Sequence, residues 1–121
     1  LSGHSCPMCN ISNGEYQVKK WLDNKCIYYE SQKKFADCKD VFSLPFDFYI
    51  PDYNICIEYD GEQHFRPVSF GSGNKKRIEE IFEYTQKHDK IKTDYCERNG
   101  IKLIRIAYNE NVKEKLDLLF A

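Results

Sequence analysis

The sequence predicts one α+β domain, of the α/β class in the broad sense, with three helices and about four strands in the order αβββαβα. Three observations support this. The chain has 121 residues, which leaves room for one hydrophobic core. Hydrophobic residues make up 41% and aromatic residues 15%, enough to fill that core. Helical and alternating patterns also succeed one another along the chain. Every apolar run is only a few residues long, so we expect no transmembrane helix.

The first half of the chain predicts one helix and three strands. Asn13-Gly14 is a turn dipeptide, and Asn13 can cap a helix that runs to about Asp23. Residues 27–35 have an extended pattern, and residues 44–50 alternate as a strand does. A turn cluster at 51–54 then leads into a second alternating strand at 55–60.

The second half predicts helix, strand and helix. Residues 66–74 contain proline and glycine and predict a loop. A long helical pattern runs from Lys75 to about Asn99 and stops at Gly100. Residues 101–106 then form a strand, and residues 111–120 a closing helix.

Cysteines suggest a zinc knuckle in residues 1–12. Cys6 and Cys9 have the spacing at which two thiolates bind one Zn²⁺. The other two ligands could be His4, Cys26 or Cys38, or an upstream zinc ribbon, and plain thiols are the alternative. Cys56 and Cys96 fit small core positions. Because the chain begins with Leu1 and shows no signal peptide, we expect a piece of a longer protein that is cytoplasmic and not secreted.

The predicted hairpin carries the first candidate site. Alternation places Phe46, Phe48 and Ile50 on one face of the first strand and Asp47 on the other. A turn centred between Asp52 and Tyr53 puts Asp47 opposite Glu58, with Asp60 on the same face. Opposed carboxylates repel, so a proton or a cation must lie between them, and a divalent metal that prefers oxygen ligands is the natural choice. The alternative is a set of solvated carboxylates on an outer face.

Further charged residues fall on apolar helix stripes. Glu15 lies on the stripe of Val18 and Leu22 in the first helix. On the long helix, the stripe of Ile78, Ile81, Phe82 and Thr85 continues through Asp89, Lys92 and Cys96. Buried charges of this kind indicate a site, although a structural ion pair between Asp89 and Lys92 is the alternative.

His64 is a further candidate site residue, because it follows the end of the strand that carries Glu58 and Asp60. There it can act as a general base or acid. A surface or satisfied core histidine is the alternative.

These segments together resemble the PD-(D/E)XK nuclease superfamily, and most closely the branch of very-short-patch-repair (Vsr-like) endonucleases and EDxHD phage homing endonucleases. The similarity spans roughly residues 14–108 and is carried by four motifs. They are Phe46-Asp47-Phe48-Tyr49, Ile57-Glu58-Tyr59-Asp60-Gly61-Glu62-Gln63-His64-Phe65, His88-Asp89-Lys90-Ile91-Lys92 and Gly100-Ile101-Lys102-Leu103-Ile104-Arg105-Ile106.

The resemblance implies a restriction-endonuclease-like core over residues 13–121, with a mixed sheet flanked by helices. Asp47, Glu58 and the carbonyl of Tyr59 would bind Mg²⁺ or Mn²⁺, and Glu15 matches the helical glutamate of the family. His64 and Asp89 match the last two letters of EDxHD. Asp60 departs from the pattern, because a lysine is usual there. Either Asp60 is a further metal ligand, or His64 together with Lys92 replaces that lysine.

We therefore expect a Mg²⁺-dependent DNA endonuclease of a bacterial or phage-infected cell, with an upstream DNA-binding domain as a further expectation. The net charge of −1 excludes a protein coated in positive charge but not such an enzyme. The rivals are a non-catalytic nucleic-acid-binding module and a repair or RNA nuclease of the same fold. Candidate contacts to the phosphate backbone are Lys33, Lys34, Lys75, Lys76 and Arg77.

Overall fold

The computed structural model describes residues 13–40, 42–65 and 75–120. It confirms the α+β class and the predicted order of elements. The first strand begins and ends later than predicted, and a single 3-10 turn, Glu62–His64, follows the third strand. The elements are α1 (Asn13–Asn24), β1 (Glu30–Lys39), β2 (Ser43–Ile50), β3 (Ile55–Asp60), α2 (Lys75–Arg98), β4 (Lys102–Ala107) and α3 (Val112–Leu119).

The four strands form one mixed sheet in the order β1-β2-β3-β4. β1 pairs with β2, and β2 with β3, in antiparallel orientation, whereas β3 and β4 are parallel. A parallel pair needs a crossover connection, and α2 lies in the crossover between β3 and β4. This topology sets α2 against β4 and brings its Lys92 into contact with Glu58 on β3.

Both faces of the sheet are buried. Between the sheet and helices α1 and α3 lies a first core that includes Val18, Leu22, Ile57, Ile106 and Leu116. Trp21 links α1 to α3, because its Nε1 donates a hydrogen bond of 2.8 Å to Asp117 on α3. The second core, next to α2, is built from Cys38, Phe46, Cys56, Tyr95 and Cys96. Cys56 and Cys96 are therefore small core residues, as predicted.

Phe46 departs from the predicted alternation. Phe48 and Ile50 do share the first core, but Phe46 packs in the second core with Tyr49. Gln32 lies between the pairs Ser31–Phe48 and Lys33–Phe46, which keep one register, and its φ is +53°. A left-handed residue departs from the regular pleat of a strand, and the prediction of strict alternation was wrong for Phe46, which lies next to this point of the sheet.

Only the second half of α2 packs closely on the sheet. Its buried residues are Tyr95 and Cys96, whereas Ile81 is 40% exposed and Tyr84 60% exposed. The prediction that Ile81 lies on the buried stripe was therefore wrong, because a stripe is buried only where a partner covers the helix. Within the described ranges, no helix is both long and apolar enough to cross a membrane.

Candidate active site

Asp47 and Glu58 meet across the β2–β3 hairpin. The pairs Phe48–Ile57, Tyr49–Cys56 and Ile50–Ile55 follow the predicted register. At the next position, the main-chain amide of Asp47 donates to Oε2 of Glu58 at 2.6 Å. The amide of Tyr59 donates to Oδ2 of Asp47 at 2.9 Å. Each carboxylate is thus fixed by the main chain of the opposite strand, and the two acids face each other as predicted.

Lys92 brings a positive charge to this pair from α2. Its Nζ lies 2.9 Å from Oε1 of Glu58 and 5.4 Å from the ring centroid of Phe46. Glu58 is only 3% exposed, and a buried carboxylate needs a partner of opposite charge. The helical stripe correctly predicted that Lys92 points into the site.

Glu15 adds a third carboxylate from the first turn of α1. Burial raises the pKa of Glu15, Glu58 raises it further, and Lys92 opposes them. Burial, followed by the charge of Glu58, raises the pKa of Asp47 to about 7, with Glu15 adding to the effect. Among the described residues, the carboxylates of Glu15, Asp47 and Glu58 therefore share the positive charge of Lys92. Such an excess of hard oxygen donors over positive charge is of the kind that a divalent cation could balance.

A second group of polar side chains follows the end of β3. Nδ1 of His64 lies 2.8 Å from Oδ2 of Asp89 and 3.6 Å from Oδ1 of Asp60. The hydrogen bond with Asp89 is the main reason that the pKa of His64 is raised. One ligand atom from each of Asp60, His64 and Asp89 lies within 4.8 Å of the others, a spacing that could also hold a metal ion.

The structure adds Arg105, which our sequence analysis did not single out as a site residue. Nη1 of Arg105 donates to both carboxylate oxygens of Asp60, at 3.1 and 3.2 Å. A guanidinium in that place already supplies the positive charge that a metal would supply to Asp60. One local signal was available, because Arg105 interrupts an apolar strand between Ile104 and Ile106.

Basic residues predicted to contact phosphates fall into two places. Lys33 and Lys34 lie on β1, where Lys33 pairs with Phe46 in the sheet. Nζ of Lys33 is 3.2 Å from Glu30 and packs over the rings of Phe35 and Tyr49, whereas Lys34 is exposed. Lys75, Lys76 and Arg77 are exposed in the first turn of α2. At 1.5 Å per residue, Lys75 lies about 25 Å along the helix from Lys92.

The predicted zinc knuckle at Cys6 and Cys9, with the rest of residues 1–12, lies outside the described residues. Two cysteines considered as further zinc ligands do have positions. Cys26 is an exposed free thiol, and Cys38 is a free thiol buried in the second core.

Comparison with known proteins assigns no family to this chain, since no family model matches it. The chain is similar to "Uncharacterized protein 307L" of Invertebrate iridescent virus 6, with 33% identity over 67 residues. That similarity covers 55% of this chain and 32% of the viral protein. The matched segment thus spans about a third of a viral protein whose name states no activity.

Proposed function

We propose that this chain is the catalytic domain of a metal-dependent DNA endonuclease of the PD-(D/E)XK type, related to homing or very-short-patch-repair endonucleases. The observation that carries the proposal is the buried arrangement of Asp47, Glu58 and Lys92 across β2, β3 and α2. Two acids can hold a divalent metal, and a nearby lysine can offset the negative charge that develops on a phosphate during hydrolysis.

The acid pair would hold Mg²⁺ or Mn²⁺. Asp47 and Glu58 supply the carboxylates, the carbonyl of Tyr59 is the third proposed ligand, and Glu15 raises the negative potential around them. When bound, the ion supplies Lewis-acid chemistry to a phosphodiester and lowers the pKa of a water. The raised pKa of Asp47 supports this role, because a cation relieves the repulsion that the proton otherwise relieves.

Lys92 and His64 would supply the remaining chemistry. The lysine that is usual in the superfamily is absent, because position 60 is an aspartate. The ammonium group of Lys92 on α2 instead contacts Glu58. It can balance the negative charge that develops on a phosphate. His64 is oriented by Asp89 and can exchange a proton with water or with the leaving oxygen. Two alternatives were open for the missing lysine, and the contact of Asp60 with Arg105 favours its replacement by His64 and Lys92 over a role of Asp60 as a further metal ligand.

DNA is the proposed substrate, and the exposed Lys34 and the Lys75–Arg77 triplet are the proposed backbone contacts. Target recognition would belong to an upstream DNA-binding domain. We place the enzyme in the reducing cytoplasm of a bacterial or phage-infected cell, where Cys56 and Cys96 would stay free although both lie in one core.

A cleavage assay tests the proposal. The chain is incubated with supercoiled plasmid, single-stranded DNA and RNA, with Mg²⁺ or with a chelator, and in the variants Asp47→Asn and Asp52→Asn. Asp52 is the matched control, because it is an exposed aspartate in the turn of the same hairpin. We expect Mg²⁺-dependent cleavage of DNA that falls by orders of magnitude in Asp47→Asn and is unchanged in Asp52→Asn.

Other outcomes would point to the rivals. DNA binding that needs no Mg²⁺ and survives Asp47→Asn, without cleavage, would indicate a non-catalytic nucleic-acid-binding module. Cleavage confined to RNA would identify an RNA nuclease of the same fold. Equal activity of Asp47→Asn and the parent chain would remove Asp47 from the metal site.

A further inference from the structure

Arg105 joins three elements of the candidate site. From β4, its Nη1 contacts both oxygens of Asp60 on β3. Its Nη2 donates to the main-chain carbonyl of Asp89 at 3.0 Å and to Oγ1 of Thr93 at 3.1 Å, both on α2. The hydroxyl of Thr93 in turn donates to the same carbonyl of Asp89. One side chain thus fixes the turn of α2 that carries Asp89.

The position of Asp89 decides how His64 is presented. Asp89 Oδ2 lies 2.8 Å from Nδ1 of His64, so the proton on that nitrogen is held by a carboxylate. The other ring nitrogen, Nε2, is then the atom that can exchange a proton with a substrate or a water. Since Arg105 fixes the helix turn of Asp89, it also fixes the orientation of the imidazole.

Asp60 is the ion-pair partner that holds Arg105 in position. Asp60 is 4% exposed, and a buried carboxylate without a basic partner is strongly unfavourable. Its Oδ1 also lies 3.6 Å from Nδ1 of His64. Without the guanidinium, Asp60 would compete with Asp89 for the imidazole. Asp89 from α2, together with Asp60 and Glu58 from β3, raises the pKa of His64, whereas Arg105 from β4 acts on Asp60 and opposes the rise that burial causes in the pKa of that carboxyl group.

We propose that Arg105, held by Asp60, is a positioning residue that directs Nδ1 of His64 to Asp89 and presents Nε2 for proton transfer. This inference rests on the proposed nuclease function for its activity readout. It also explains the aspartate at position 60, where the superfamily usually has a lysine: Asp60 anchors the arginine.

Nuclear magnetic resonance of the His64 imidazole tests the inference without an assay of enzymatic activity. The His64 signals are assigned by their loss in His64→Gln and are followed against pH in Arg105→Gln, Arg105→Lys, Asp60→Asn and Lys102→Gln. Lys102 is the matched control, as an exposed basic residue on the same strand. Circular dichroism establishes that each variant is folded.

The expected shifts differ in sign between variants. Arg105→Gln leaves Asp60 unbalanced beside His64, so the pKa of His64 rises, whereas Asp60→Asn removes a carboxylate and lowers it. Arg105→Lys keeps the charge but cannot contact Asp60 and α2 together. The titration of His64 then stays close to that of the parent chain, while cleavage falls by about 10²-fold through misplacement. Lys102→Gln changes neither.

Two results would overturn the proposal. One is a His64 titration and Nδ1 proton signal that are the same in every folded variant, which would reduce Arg105 to a stabilising residue. The other is a His64 pKa that stays at the parent value in Asp60→Asn, which decides the case if Arg105→Gln does not fold. Absence of cleavage by the parent chain would overturn the proposed function instead, and the His64 titrations would still test the role of Arg105.

Discussion

Lys92 on α2 reaches Glu58 on β3 with 2.9 Å between Nζ and Oε1, although 34 residues separate them in the chain. Glu58 also accepts from the amide of Asp47 on β2 through its other oxygen. One buried carboxylate therefore joins the hairpin to the crossover helix. Under the proposed function, this contact would supply from a helix the basic group that the PD-(D/E)XK pattern usually has on the strand.

Removal of Lys92 should destabilise the metal-free protein. Lys92→Met leaves Glu58 buried without its cation, and loss of one partner of a buried pair costs about 3–5 kcal/mol. Chemical denaturation measures this free energy of unfolding, with Lys90→Met as the control, because Lys90 is exposed on the same helix and pairs with the exposed Asp94. Added Mg²⁺ should recover part of the loss. Equal stability of both variants would contradict the assigned pair.

Stability should depend on pH through Asp47. Its pKa rises from the ordinary value of 3.8 to about 7 on folding, chiefly through burial. The folded state thus keeps a proton that the unfolded state has released, so the free energy of unfolding falls as pH rises from about 4 to 7. The fall is up to about 4 kcal/mol without metal.

Denaturation at several pH values, in a chelator, checks this. Asp47→Asn should lose most of the fall, and it should be at least as stable as the parent chain at pH 8. Saturating Mg²⁺ should also flatten the profile, because the cation replaces the proton. A parent chain whose stability rises steadily from pH 4 to pH 7 would contradict the shift.

His64 should matter for the rate but not for metal binding. Mg²⁺ prefers oxygen ligands, so His64→Ala should leave its affinity, measured by calorimetry, nearly unchanged. Cleavage should drop by roughly 10²–10⁴-fold, the usual effect of a lost acid–base group, and the rate–pH profile should lose its lower inflection. His88→Ala is the control, since His88 pairs with Asp40 instead. A collapse of Mg²⁺ binding would make His64 part of the metal site.

Gly14 should be intolerant of a side chain. A Cβ at this position would overlap the ring of Tyr59, whose amide holds Asp47. Gly14→Ala should lower the free energy of unfolding by about 1–3 kcal/mol, as overpacking does, and should reduce cleavage. Truncation of the ring in Tyr59→Ala should make the added methyl group nearly harmless. An equal cost in both backgrounds would show that the overlap is not the cause.

Zinc at the amino-terminal cysteines stays a prediction that metal analysis can test. If Cys6 and Cys9 bind Zn²⁺ within this chain, elemental analysis should find about one zinc per chain. The double variant Cys6→Ser/Cys9→Ser should lose it and melt at a lower temperature. A metal-free protein with unchanged melting would leave the two residues as plain thiols or as half of a site completed upstream.

The sequence by itself determined the order of elements and the facing of Asp47 and Glu58. Both depend on local rules, since a period of two or 3.6 residues identifies each element and a tight turn fixes the register of its two strands. The stripe on α2 also placed Asp89 and Lys92 on the side that meets the sheet.

Tertiary structure alone decided the rest. The parallel register sets Arg105 of β4 beside Glu58 of β3, and no local pattern fixes the pairing of strands that are joined through a long crossover. Phe46 packs in the second core, next to the left-handed Gln32, and Ile81 stays exposed in the half of α2 that does not pack closely on the sheet. Burial and partner choice depend on what the fold places beside a residue, which periodicity within one element does not specify.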